Sequence, residues 1–379
     1  MNYVMLKDVC AIKMGQSPDS NSYNDTGDGV PFFQGNADFG ERYPVTRKWC
    51  SAPTKMATQD DILISVRAPI GAMNYAKEDC CIGRGLAALT PDKSKVSSEF
   101  IFWLLKGKNV ELNSKGTGST FKAIGRKVLE ETKVPKIPLE KQKEFSEILE
   151  RIYGIIHARK EELQKLDDLI KARFVEMFGD AVDNPMGWEK KQLQEIVTDD
   201  CTISYGIVQT GNDQEEGVPV FRPVDIVNRI PKLEELKRTT EEISNKHKRT
   251  ILKGHEMLIT VRANIADTCI VGKEFKGCNV GRGIVPIRTQ ENIMVLEFLK
   301  YLMDSKHLND DIKSKAKGIT LIQLNMEDLR EVELIVPPIE QQKAFVEFVE
   351  QVNKSKVAIQ AALDKSQLLF DSLMQKYFG

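Results

Sequence analysis

Pro338-Ile339-Glu340-Gln341-Gln342-Lys343 repeats the run Pro138-Leu139-Glu140-Lys141-Gln142-Lys143 at an offset of 200, and the long stretch after each run decides the fold. From Phe145, core-type positions spaced alternately four and three apart are Phe145, Leu149, Ile152, Ile156, Arg159, Leu163, Leu166, Ile170, Arg173 and Met177. The same positions 200 later are Phe345, Val349, Val352, Lys356, Ile359, Leu363, Ser366, Phe370, Leu373 and Tyr377. Both stripes are mostly apolar, the heptad pattern of helices that pack along a seam. About 40 helical residues at ~1.5 Å each make a rod of about 60 Å. Neither rod can bury its stripe alone, so the pattern predicts that the two pair antiparallel within one chain. Residues 139–179 hold 8 basic and 9 acidic side chains and 339–379 hold 5 and 5, which suits neutral spacers.

Outward from the rods, the repeat continues. Ile64-Ser65-Val66-Arg67-Ala68 recurs as Ile259-Thr260-Val261-Arg262-Ala263, Gly83-Arg84-Gly85 as Gly281-Arg282-Gly283, and Phe178-Gly179 as Phe378-Gly379. The offset drifts from 195 through 198 to 200. Ordered matches with a smoothly changing offset mark a duplication.

Each half opens with short β-rich runs and turns. Ile62-Leu63-Ile64-Ser65-Val66 reads as a buried strand, and Gly83 to Leu89 as a second strand opened by glycines. Ser98 to Lys106 reads as a short amphipathic helix partnered by Glu297 to Met303, and each precedes a polar turn, Lys115 to Thr120 and Lys315 to Thr320. Val134-Pro135 and Val336-Pro337-Pro338 close the globular parts, because proline interrupts a strand and suits a helix start. The expected fold class is therefore α/β (α+β): two globular heads, two long antiparallel coiled-coil helices and an internal pseudo-twofold repeat. The expected boundaries are 1–138 for the first head, 139–179 for the first rod, 180–187 for a linker, 188–338 for the second head and 339–379 for the second rod.

Composition limits the function. Of 379 residues, 41% are apolar and 29% charged, ordinary for a chain with packed cores and unlike a disordered one. No run approaches the ~18 apolar residues of a membrane span, and the first ten residues lack a signal-peptide pattern, so a cytoplasmic chain is expected. Seven cysteines without a C-x-x-C spacing argue against structural disulfides and a zinc ribbon. The four histidines are scattered, no phosphate-loop motif occurs, and Gly-Arg-Gly lacks the third glycine of a dinucleotide loop. No catalytic set, metal or cofactor is expected. The duplication keeps rods, turns and strands, which points to a two-headed binding protein.

Net charge is −1, which excludes wrapping nucleic acid by bulk charge. The first globular part nonetheless holds 19 basic against 15 acidic residues, and 188–337 holds 22 against 24. Basic residues gather within or just before the same turn in both halves.

The alternation of globular and helical parts, Pro337-Pro338-Ile339-Glu340-Gln341-Gln342-Lys343, and Met177-Phe178-Gly179-Asp180 leading into Asn184-Pro185-Met186-Gly187-Trp188 resemble the specificity subunit of type I restriction–modification systems. The resemblance covers the whole chain. One departure is that the first rod opens Lys136-Ile137-Pro138-Leu139-Glu140-Lys141, without the double proline or the first glutamine. The resemblance implies that each head is a target recognition domain for one half of a split duplex sequence. It also implies that the coiled coil sets the gap and docks methyltransferase and restriction subunits, and that the chain is not itself catalytic.

Base readout needs only a few placed polar side chains per head. Candidates in the first head are Gln34, Asn36, Arg42, Arg67, Arg84, Lys115, Thr117, Ser119 and Lys122. In the second they are Arg222, Arg262, Arg282, Lys315, Lys317, Thr320 and Gln323. Arg67 and Arg262 are identical in both heads, which suits holding the fold better than reading different bases. The Lys115–Thr120 and Lys315–Thr320 turns suit phosphate contact. A competing reading is a scaffold that holds protein partners through its heads without DNA.

Overall fold

The computed structural model describes residues 2–118, 122–226, 230–318 and 322–378. The chain divides into two units, one of residues 1–161 with 359–379 and one of residues 162–358.

In the first unit the strand Tyr3–Met5 pairs antiparallel with Lys133–Pro135, so the head's first and last strands close on each other. A four-stranded antiparallel sheet runs in the order Cys10–Met14, Leu86–Pro91, Ile62–Ser65, Met73–Tyr75. Ile62, Leu63 and Ile64 are all fully buried, which is why this strand reads as an unbroken apolar run rather than an alternation. A second sheet contains the parallel pair Val30–Phe33 and Cys80–Ile82. Gly83–Gly85 is a turn between the strands Cys80–Ile82 and Leu86–Pro91, not the strand opening that the glycines suggested. A Cβ on Gly85 would stand 2.4 Å from the Gln34 carbonyl oxygen, so the turn needs glycine to lie on its neighbour. The helix Ser98–Gly107 is capped by Ser97, whose side chain accepts from the Phe100 N–H at 3.1 Å.

The second unit repeats this plan by its own contacts. Glu189–Gln192 pairs with Glu333–Val336, and Thr268–Val271, Glu256–Thr260 and Ile284–Ile287 form an antiparallel sheet. Val218–Phe221 lies parallel to Asn279–Val280, and the helices Leu296–Met303, Lys306–Ser314 and Met326–Arg330 come after them in the chain.

Two 40-residue helices, Leu139–Phe178 and Ile339–Phe378, run antiparallel. In the first unit Phe145 stacks on Tyr377 at 3.9 Å, Tyr153 lies near Phe370, and Arg159 donates to Ala362 O and Ser366 Oγ. Numbers rise along one helix as they fall along the other. In the second unit Asp167 pairs with Lys356 at 2.5 Å, and Phe174 and Phe178 pack on Phe345. The buried stripe departs from the sequence heptads at its far end. Phe174 and Phe178 are buried, while Arg173 and Met177 are only half-buried. A straight helix turns every 3.6 residues and drifts off a 3.5 repeat, so the seam moves one position over.

The shared motif has a specific role. Gln142, 1% exposed, accepts from Ser97 N at 2.9 Å and donates to Ile137 O and Lys95 O. Gln342, fully buried, accepts from Val295 N at 2.9 Å and donates to Pro337 O and Ile293 O. Each amide ties the start of a long helix to the residue before the head's amphipathic helix. Position 141 or 341 plays no part in this clasp, so the missing first glutamine leaves it intact.

The segment after the first long helix is a built turn. Gly179 adopts φ 73°, and Asp180 accepts from the N–H groups of Val182 and Asp183. Asn184 brackets Trp188 with two 2.8 Å bonds, and the Trp188 indole N–H caps Phe178 O at 3.1 Å.

Candidate nucleic-acid interface

In the first head, backbone bonds bring four chain segments to one edge. Gly83 N donates to Phe33 O and Gly85 N to Gln34 O, which lays the Gly-Arg-Gly turn against the end of strand Val30–Phe33. Val66 N then donates to Gly85 O, placing Arg67 beside that turn. Ala68 N donates to Lys122 O, and Thr117 exchanges both backbone bonds with Ala123. Gln34, Arg67, Arg84, Thr117 and Lys122 are exposed along this edge. Asn36 sits in the next turn, where Asp38 accepts from Gln34 N at 2.7 Å. Gln34 also shares its side-chain amide with Ser17 Oγ, at 2.9 Å from Nε2 and 3.2 Å from Oε1.

The second head repeats the frame. Gly281 N donates to Phe221 O, Val261 N to Gly283 O, and Lys317 exchanges both backbone bonds with Gln323. Arg262 donates to the side chain of Gln323. Asp225 accepts from Arg222 N at 2.7 Å and takes its guanidinium at 3.0 Å from Nε and 2.9 Å from Nη2. Those bonds raise the Arg222 pKa further, so its charge is permanent. Arg282 stands 5.8 Å from the Tyr205 ring.

Other expected residues lie elsewhere or are engaged. Arg42 is 4.7 Å from the Phe102 ring and ion-pairs with Glu150 of the first long helix. Protein partners account for it, and the bonds that join the edge do not include it. Lys115 pairs with Glu111 at 2.6 Å and Lys315 with Asp311 at 2.9 Å, each on the helix leading into the loop. Lys317 lies 3.5 Å from Asp328. Ser119 and Thr320 fall outside the described residues. Lys106, one of the basic residues near the first turn, stands 4.1 Å from the Tyr153 ring, and burial, then Arg42 and Lys160, pull its pKa down to about 8.

Ser17, Asp38, Asp225 and Tyr205 escaped the sequence reading. An aspartate three or four residues after a strand-ending Phe-polar pair was the available signal for two of them. Among the described residues, Asp180, Asp183 and His307 form the cluster whose atoms could meet at a metal, and Asp180 there caps the linker turn. All seven cysteines are free and buried, and no helix among the described residues is long and apolar enough to cross a membrane.

Comparison with known proteins agrees with this architecture. The model of the type I restriction modification DNA specificity domain matches residues 1–166 and again 185–366. A chain provisionally named the type I restriction enzyme MjaX specificity subunit of Methanocaldococcus jannaschii is 44% identical over 156 residues, 41% of this chain and 37% of that relative. That match therefore spans well under half of the relative's length. The EcoBI specificity subunit of Escherichia coli is 22% identical over 99% of this chain and 85% of its own. A crystal structure of the S subunit of a type I restriction–modification system from M. genitalium superposes with a TM-score of 0.62 at 14% identity, covering 100% of this chain and 96% of that one; it supports the fold. The two matched segments carry the two repeats of the edge built above, and the chain belongs to the type I restriction–modification DNA specificity family.

Proposed function

We propose that this chain is the non-catalytic reader of a cytoplasmic restriction–modification complex, recognising two short sequences separated by a gap of fixed length. Residues 1–138 and 188–338 act as the heads, 180–187 as the linker, and 139–179 and 339–379 as the spacer. The modification and restriction subunits dock on the long helices. One observation carries the reading: each head assembles the same polar edge from distant chain segments, with different side chains on it. A scaffold with two equivalent protein sites has no need of that divergence.

Within the edge, Arg67 with Arg262 and Arg84 with Arg282 are the same residue in both heads. Contacts to phosphate carry no sequence information, so residues common to both heads suit the backbone of the duplex. Low net charge is tolerable because few phosphates need be met by this chain once partner subunits hold the duplex.

The test assembles the chain with its modification subunits and sequences the methylated sites in a host genome. The expected motif is two short half-sites with a constant gap, which disappears when the chain is omitted. Exchanging residues 188–338 for those of a relative should replace one half-site and leave the gap alone. Methylation independent of this chain, or a swap that changes both half-sites, overturns the reading.

A further inference from the structure

The geometry points to Gln34 and Arg222 as equivalent base-reading positions, with Gln34 taking an adenine and Arg222 a guanine. This rests on the DNA-reading role proposed above and adds which base each head fixes.

Equivalence comes from the backbone. Gln34 and Arg222 each come directly after the phenylalanine whose carbonyl accepts from the first glycine of Gly-Arg-Gly. In each case the backbone N–H is held at 2.7 Å by an aspartate of the next short turn, Asp38 or Asp225. These two backbone bonds recur in both heads while the side chain at the position differs. A neighbouring position differs in step. Gln16 N and Ile207 N make the same backbone bond, to Ile82 O and Val280 O, so Ser17 in the first head corresponds to Val208 in the second. Valine cannot hold a polar side chain, and Arg222 turns instead to Asp225.

The held side chains suit different bases. Asp225 occupies the Nε–Nη2 edge of the Arg222 guanidinium, and the Nη1–Nη2 end belongs to a side chain 43% exposed. A guanidinium has two such forked ends, and a free fork matches guanine O6 and N7. Ser17 Oγ sits on the donor–acceptor edge of the Gln34 amide, and it is that edge, released from Ser17 to a base, whose N–H and carbonyl match adenine N7 and N6.

The experiment uses the complete complex with its modification subunits and methylation of duplexes varied one base pair at a time. Arg222→Lys keeps the charge and loses the fork. It should reduce guanine discrimination at one position of one half-site about tenfold or more, with the other half-site unchanged. Arg222→Gln should move that position toward adenine, and Gln34→Arg should move one position of the opposite half-site toward guanine. If Arg222→Lys keeps the wild-type motif, or lowers methylation equally on all duplexes, Arg222 touches phosphate or only Asp225, and the proposal is wrong. A wild-type complex without any split-site preference would instead remove the DNA-reading role beneath it.

Discussion

The two heads sit on their own stretches of long helix in different ways. In the first unit Trp103 is fully buried between Tyr153 and Phe370, with centroids 5.4 and 5.6 Å away. The second unit has Tyr301, half-buried against Phe345, beside a groove of about 870 Å³ lined by Ile170, Phe174, Asp304, Lys306 and Lys356 among others. It concentrates its contact instead in four rings, Phe174, Phe178, Phe298 and Phe345. A duplicated frame thus fixes where a head is tied to its helix, while the apolar surface that backs the tie varies. The glutamine clasp is the constant; the aromatic packing is the variable.

That contrast can be broken most forcefully at the rings. Phe345→Ala removes a fully buried side chain from the four-ring cluster and should cost about 3–5 kcal/mol. Phe145→Ala, at the matching but half-buried position, should cost clearly less. Denaturant unfolding of the two variants compares them, and equal losses would mean that the two seats do not differ.

The clasps should behave alike. Gln142→Ala and Gln342→Ala each strand one buried N–H and two carbonyls, for about 2–3 kcal/mol apiece. Unequal midpoints in the same unfolding experiment would show that the clasp is not a shared device.

A smaller difference concerns Lys106, which exists only in the first seat. Its folded pKa lies near 8, below the 10.5 of the unfolded chain. The unfolded state therefore binds the proton more tightly, and stability attributable to this group rises with pH from about 8 to 10.5. Below about 8 the amine is charged in a half-buried place beside other cations, which disfavours the folded state. Lys106→Met should stabilise by about 1 kcal/mol at neutral pH, after discounting for the solvent that still reaches the amine, and should flatten that rise. Thermal melts from pH 7 to 10 check both.

Thr117→Ala should change stability least, within about 0.5 kcal/mol, because the side chain is exposed. Its effect should appear in one half-site of the methylated motif only, while a shift in both would join the heads.

Most of the frame was legible because it rests on local periodicity and on repetition. The apolar stripes announced the long helices, and matched runs announced the two heads. The last turns of the stripe were misread because a 3.5 pattern was carried past the length over which a straight helix keeps it. Gln142 looked like one letter of a motif; that it stays glutamine at both offsets, while Lys141 becomes Gln341, was the trace of its role. The edge was legible only in part. Arg67 and Arg84 stood out by repetition, but the bond between Gln34 and Ser17 and the pairing of Arg42 with Glu150 join residues far apart in the chain, and no spacing rule reports them.

Residues 359–379 complete the unit begun by residues 1–161, and this has a consequence for synthesis. As the chain leaves the ribosome, the first head emerges long before the helix segment that covers Phe145 and Trp103. The aromatic face stays uncovered while the second head is made. Contacts so distant in sequence form late, so the first head must wait, soluble on its own surface or shielded by another protein, until the final turns of the second helix arrive.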